Sequence, residues 1–318
     1  MKNIVWVLNN YPPVVLAGAE FAAHRINKWL LSKGYSVQVF IISNESYPSE
    51  FEGVSIIPIK PFDCYTKNLD PGTIVVSQLW ATRSAHLLFD RNTSCKYIEF
   101  VHYVDNTVIS PYPWTMREFT MVYNSNDTKE RALKIGNWLQ SKPSFLLPPI
   151  IELPQTDYSI RTNWNEYNWI TLVNFNKDKG ADIFNQLASI DHLHKYVGIK
   201  GSHGTQEVPV TQVELLNPTF DMEQIWKNTR ILVVLSTYET WSMVASEAMM
   251  RGIPVVAANH IPALKENCGD AALYVDRTNL TECISAFQQI EANYEYYSKK
   301  SREQSKPPNY AQLLHLFS

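Results

Sequence analysis

Short apolar runs alternate with amphipathic stretches along most of this chain. Ile231 to Leu235 is a run of apolar residues too short for a helix and without polar alternation, which predicts a parallel strand buried on both faces. Polar Ser236 to Thr240 then turns the chain. Met243 to Met250 is rich in helix formers and stops at Arg251-Gly252, a helix end with a cation in its last turn. Ile253-Pro254-Val255-Val256 begins another strand, so the stretch reads strand, turn, helix, strand. The chain opens the same way, with a strand at Ile4 to Leu8, a loop containing Pro12 and Pro13, a helix at Ala19 to Leu31 and a strand at Ser36 to Ile42.

Further strands are predicted at Val54 to Ile59, Ile74 to Ser77, Lys96 to Val101, Phe119 to Tyr123, Phe145 to Leu147, Trp169 to Val173, His194 to Ile199, Val213 to Leu216 and Ala272 to Val275. Helices are predicted at Trp80 to Phe89, Thr128 to Ile135, Asp221 to Trp226, one long amphipathic span from Leu280 to Tyr297, and Tyr310 to Phe317. Alternating strands and helices of this length predict an α/β protein with parallel sheets. The polar stretch from Pro154 to Asn168 reads as a linker, which divides the chain into domains at 1–150 and 151–305, with 306–318 as a terminal helix.

Composition narrows the class. A chain of 318 residues suits two domains of ordinary size, and 45% hydrophobic with 19% charged residues is a globular balance. The net charge of −3 supplies no global basic field for nucleic acid or an anionic membrane. Cys64, Cys95, Cys268 and Cys283 are scattered, without metal-ligand spacing, and read as reduced thiols. No signal-peptide core and no membrane-spanning run is visible, so the expected location is cytoplasmic, with any membrane contact peripheral. His192, His194 and His203 read as loop histidines, and no metal site is expected.

In open α/β sheets, ligands bind at the carboxyl ends of strands, and several reactive residues fall there. Glu239 lies in the turn after one predicted strand and Glu247 lies in the following helix. That helix start, capped by Ser242, offers free backbone amides and a positive dipole end to a phosphate. Two carboxylates beside an anion site make sense if they accept hydrogen bonds from neutral hydroxyls while the helix end takes the charge. His102 follows another strand directly, and Gly18 opens the first helix, where a backbone without a side chain allows close approach to a ligand. Asp105 and Asn106, just beyond, suit either acceptor hydroxyls or a turn.

Glu239, seven intervening residues, Glu247-Ala248-Met249 and Gly252-x-Pro254-Val255-Val256 resemble the E-x7-E signature of the family-4 glycosyltransferases. The resemblance implies the GT-B architecture: two Rossmann-like, doubly wound domains facing a central cleft. It implies a nucleotide-sugar donor in the second domain, an acceptor in the first, retention of anomeric configuration, no metal and no cofactor beyond the nucleotide-sugar co-substrate. Glu247 would hold the ribose and Glu239 the transferred sugar, with Thr240, Trp241, Ser242 and Met243 around the donor. Trp241-Ser242 stands where the family has Phe-Gly, and Ala17-Gly18-Ala19-Glu20 resembles its Gly-Gly-Ala-Glu. Lys179 matches the family's diphosphate-gripping Lys, whereas Asn174 stands at its Arg. His102, Glu239 and Lys179 are the implied catalytic residues. Rival expectations are a glycosyltransferase acting on modified bases in DNA and an inactive nucleotide-sugar binding protein.

Overall fold

The computed structural model describes residues 2–64, 66–105, 107–109, 117–152, 161–201, 204–305 and 309–318. The chain forms two compact units, Met1–Ile150 with Pro308–Ser318, and Ile151–Pro307.

The first unit contains β1 (Asn3–Leu8), α1 (Gly18–Ser32), β2 (Ser36–Ile41), β3 (Glu50–Phe51), β4 (Val54–Pro58), α2 (Pro61–Cys64), β5 (Ile74–Gln78), α3 (Thr82–Arg91), β6 (Lys96–Val101), β7 (Thr120–Tyr123), α4 (Asn126–Ile135) and β8 (Ser144–Leu146). The sheet order is β3-β4-β2-β1-β5-β6-β7-β8, parallel except for the short β3–β4 edge pair. Ile4, Trp6 and Leu8 join one apolar cluster with Ile26 and Leu30 of α1, while Val5 and Val7 join another with Ala85 and Leu88 of α3. A sheet covered on both faces explains why its strands read as unbroken apolar runs. Ser125 caps α4 as its turn chemistry suggests, its hydroxyl accepting from the Thr128 amide at 3.1 Å. The helix expected from Trp80 starts only at Thr82, because Leu79–Ala81 forms a 3-10 turn with Leu79 at φ 55°.

The second unit contains β9 (Trp169–Val173), α5 (Ala181–Ile190), β10 (Lys195–Ile199), β11 (Val213–Leu216), α6 (Glu223–Asn228), β12 (Thr229–Val234), α7 (Met243–Met250), β13 (Val255–Ala258), α8 (Pro262–Cys268), β14 (Ala272–Val275), α9 (Leu280–Ala292) and α10 (Tyr294–Gln304). Its parallel sheet runs β11-β10-β9-β12-β13-β14. The predicted single helix from Leu280 to Tyr297 is two: the chain breaks at Asn293, φ −136° and ψ 43°. The break lets buried Tyr294 donate its hydroxyl to the Arg230 carbonyl at 2.8 Å, a contact a continuous amphipathic pattern does not reveal.

The linker reading also needs correction over its described part. Arg161 is buried, and its guanidinium donates to the carbonyls of Arg251, Thr229 and Trp226 at 3.1, 2.6 and 2.9 Å. A charge-delocalised fork that satisfies three carbonyls while stacked 4.0 Å over Tyr167 is a structural pin of the second unit. Lastly α11 (Tyr310–Phe317) belongs to the first unit, burying Leu313 and Phe317 against β1 residues and donating from Gln312 Nε2 to the Leu146 carbonyl at 2.7 Å. Among the described residues, no helix is long and apolar enough to cross a membrane.

Candidate functional site

In the second sheet, chain order runs outward from β9 through β10 to β11 on one side, and from β12 through β13 to β14 on the other. The β9–β12 junction is therefore the topological switch point, where the loops leaving two neighbouring strands part and open a crevice at their carboxyl ends. The loop after β9 carries Asn174 and Lys179, and the loop after β12 carries Glu239 to Ser242.

These two loops are tied together. Lys179 Nζ donates to Glu239 Oε1 at 2.6 Å, and the Ser236 hydroxyl donates to the same oxygen at 2.8 Å. Glu239 Oε2 carries no hydrogen bond among the described residues. The Thr237 amide donates to the Asp178 carbonyl at 2.8 Å. Between them sits Gly180 at φ 90°, where an added Cβ would lie 2.5 Å from the Leu235 carbonyl oxygen. Only glycine permits both that conformation and that approach, which is the local reason for Lys-Gly here.

Ser242 corrects an expectation. It precedes α7, but its φ of 72° and ψ of 85° are left-handed, and its hydroxyl caps no amide. The side chain is buried and its Oγ has no hydrogen-bond partner among the described residues. The left-handed backbone turns the side chain away from the extended geometry a capping serine adopts, and it explains why a glycine suits this place. The loop is instead held from outside: Asn267 Nδ2 donates to the carbonyls of Trp241 and Ser242 at 2.7 and 2.9 Å, and Trp241 Nε1 donates to the Ser246 hydroxyl at 3.1 Å. Asn267 and Ser246 were not singled out by sequence reasoning, and only their burial in α8 and α7 marks them. Thr240, Trp241, Met243 and Glu247 are all half-buried around this helix start, with Glu247 in the second turn of α7.

Asn174 is also left-handed, φ 67°, and its Oδ1 accepts from Asn176 Nδ2 at 2.9 Å. It lies so close to Gly201 that a Cβ there would fall 1.8 Å from Asn174 Oδ1. The amide oxygen is thus committed to its own loop. Lys200 and Gly201 of the glycine-rich loop after β10 are described, while Ser202 and His203 lie outside the described residues. His194 lies in the bend just before β10, and its side chain is buried, with Nδ1 2.5 Å from Asp191 Oδ2 and Nε2 3.0 Å from Glu291 Oε1. Burial opposes its charge, but the hydrogen bonds and charges of Glu291 and Asp191 outweigh that and raise its pKa. Asp191 stands three residues before it in the chain, whereas Glu291 arrives from α9 and no sequence spacing reveals it.

In the first sheet the equivalent switch point lies between β1 and β5. Gly18 is exposed there as the first residue of α1, after Ala17, which makes no side-chain cap. Glu20 in the same turn is buried, and desolvation raises its pKa to about 7. His102 follows β6, stacks 6.0 Å from the Phe100 ring and has a pKa lowered to about 4 by burial, so its imidazole is neutral at physiological pH. Asp105 acts as the turn former: its Oδ1 accepts from the amides of Thr107 and Val108 and from the Thr107 hydroxyl at 2.7, 2.9 and 2.6 Å. Asn106 lies outside the described residues.

Residues 211–306, which span β11 to α10 and include Glu239 and Glu247, match the family model of glycosyl transferases group 1. The chain has a GT-B fold. It is in class a transferase of sugar groups. Anabaena HepE, solved in complex with UDP-glucose, is similar over 100% of this chain and 98% of its own, at a TM-score of 0.75 and 12% identity. Sucrose-phosphate synthase from Thermosynechococcus elongatus is similar over 100% and 95%, at 0.73 and 15% identity. WaaG, a glycosyltransferase involved in lipopolysaccharide biosynthesis, is similar over 98% and 97%, at 0.69 and 14% identity. A sequence search of curated proteins found no significant match. At such identities the structural likeness speaks for this glycosyltransferase's fold, and the chemistry rests on its own residues.

Proposed function

We propose that this glycosyltransferase, acting in the cytoplasm, moves a sugar from a nucleotide-diphosphate donor held by the second unit to an acceptor hydroxyl presented by the first, with retention of configuration and without a divalent metal. The observation that carries the reading is the Lys179–Glu239 contact at the β9–β12 switch point, beside the start of α7. It puts a cation for phosphate and an acceptor for hydroxyls side by side. With one N–H on Glu239, Lys179 Nζ keeps two for the oxygens of a diphosphate. The first-turn amides of α7 and the buried Ser242 hydroxyl are the other donors suited to that charge. Glu239 Oε2 is available to a hydroxyl of the transferred sugar, and Glu247 would accept from the ribose.

In the step proposed, the bond from the anomeric carbon to the diphosphate oxygen breaks and its electron pair leaves with the diphosphate. The acceptor oxygen bonds to the same face of the sugar, and its proton passes to the departing phosphate oxygen. Lys179 and the α7 amides stabilise the charge as it develops, which is where such donors act most strongly. Neutral His102 would hydrogen-bond sugar hydroxyls without adding a charge.

Asn174 supports a second reading, donor binding without turnover, since it brings no charge and leaves Lys179 as the cation of that loop in contact with Glu239. One experiment separates the two. UDP-, GDP-, ADP- and TDP-sugars are offered with EDTA present, scoring thermal stabilisation and slow donor hydrolysis, on wild type and Glu247→Ala. Sugar transfer predicts that one nucleotide class stabilises the protein and is slowly hydrolysed, with both effects lost in the variant. Stabilisation without hydrolysis would favour the binding protein. A folded sample indifferent to all four would overturn the donor assignment.

A further inference from the structure

The carboxyl edge of the first sheet carries a feature the donor chemistry does not use. Trp80 is 56% exposed and Tyr103 38% exposed, and their ring centroids lie 6.3 Å apart with an interplanar angle of 40°. The sheet places them together. Gln78 of β5 pairs with Phe100 of β6, so Trp80 and His102 each stand two residues past the paired position on neighbouring strands, and Tyr103 follows His102. Leu79, at φ 55°, adopts a backbone disfavoured for a branched side chain in order to make this corner.

The exposed indole is fixed. Its Nε1–H donates to the Thr107 hydroxyl at 3.1 Å, and that hydroxyl donates to Asp105 Oδ1 at 2.6 Å. With its polar edge satisfied inside the protein, the ring offers a ligand its apolar face. Asp105 Oδ2, on the same turn, carries no hydrogen bond among the described residues and can accept from a ligand hydroxyl.

A pyranose fits this combination. One face of such a ring presents C–H groups polarised toward the negative face of an aromatic ring, while its rim presents hydroxyl donors for a carboxylate. A nucleobase would stack equally well, but its phosphodiester would meet the charge of Asp105. We infer that Trp80 and Tyr103 form a stacking platform for a pyranose ring of the acceptor, with Asp105 Oδ2 taking one of its hydroxyls, so that the acceptor is a saccharide. The role as acceptor rests on the sugar-transfer reading above; the binding of a pyranose does not.

The test uses the full chain, Trp80→Ala, Trp80→Phe and Tyr103→Ala. Because both side chains are exposed, each variant should fold with an unchanged melting temperature. Maltose, cellobiose, lactose, chitobiose and mannobiose are titrated by saturation-transfer NMR, beside a short single-stranded DNA and the UDP-sugar that stabilises the protein. The expected result is saturable binding of at least one disaccharide, weakened roughly tenfold or more in Trp80→Ala, largely retained in Trp80→Phe, with UDP-sugar stabilisation unaffected. Equal binding by wild type and Trp80→Ala, no disaccharide binding by folded wild type, or binding of the DNA in place of the disaccharides would each overturn the platform. Failure of the UDP-sugar arm with an intact disaccharide arm would sink sugar transfer and leave the pyranose platform standing.

Discussion

The two sheets share one plan, with chain order reversing direction at a central strand pair, yet their carboxyl edges are furnished in opposite ways. The second edge is ionic and tightly wired: Lys179 pairs with Glu239, Asn267 holds the Trp241–Ser242 backbone, and Gly180 lets two loops touch. The first edge, by contrast, carries buried titratable groups in uncharged forms. His102 is kept uncharged by burial, Glu20 has its pKa raised to about 7, and the exposed surface is an aromatic pair with the Asp105 carboxylate on the same turn. The strands only select the place; the loops decide which chemistry stands there. An edge meant for a diphosphate concentrates donors and charge, whereas an edge meant for a neutral ligand can afford buried titratable groups in their uncharged forms.

The largest blow to this contrast comes from removing the cation of the second edge. Lys179→Ala should lower turnover by roughly 10²- to 10³-fold, the scale for deleting a donor aimed at developing charge. The half-exposed Lys179 contributes little to folding, so the melting temperature should hold within a few degrees. A variant as active as wild type would mean that the diphosphate is gripped elsewhere.

The uncharged state of Glu20 at the first edge is tested by pH. A carboxyl whose pKa is raised on folding contributes stability below its unfolded value, which is lost as pH rises through the folded value. For Glu20 that window runs from about 4.5 to about 7. Glu20→Gln should match wild type in urea denaturation at the acid end and exceed it at pH 8 by up to about 3 kcal/mol. Equal stability across the range would show that Glu20 is solvated and charged after all.

The smallest effect sharpens the comparison most. At Ser242, φ 72° favours glycine, so Ser242→Gly should stabilise the protein by about 1 kcal/mol or less. If the hydroxyl donates to a bound diphosphate, donor affinity should nevertheless fall about threefold to tenfold in an isothermal titration. Gain of both stability and affinity would make the serine a mere occupant of a glycine position.

Much of this was legible before any coordinates. The alternation of short apolar runs with helical periodicity gave two α/β sheets, since burial on both faces leaves strands without polar alternation. Glu239, Glu247 and Lys179 were found by their motif neighbours, and the structure brings Lys179 and Glu239 into contact. Other features left no periodic trace. Arg161 sits in a stretch as polar as any linker, and only the carbonyls it meets 65 to 90 residues away make it a pin. The break at Asn293 interrupts no hydrophobic pattern, and Trp80 reads as one more helical aromatic until Leu79 takes a left-handed turn.

What the sequence determined by itself is therefore local: where strands and helices form, where a glycine or a proline ends them, and which carboxylates and lysines stand at strand ends. Tertiary structure alone decided the ionic pairing of residues 60 apart, the left-handed backbone at Ser242, the neutral state of His102 and the exposure of Trp80. The reason is physical. Periodicity and turn chemistry are properties of neighbouring residues, whereas a protonation state depends on how much water packing removes, and a backbone angle on what holds the loop from the far side.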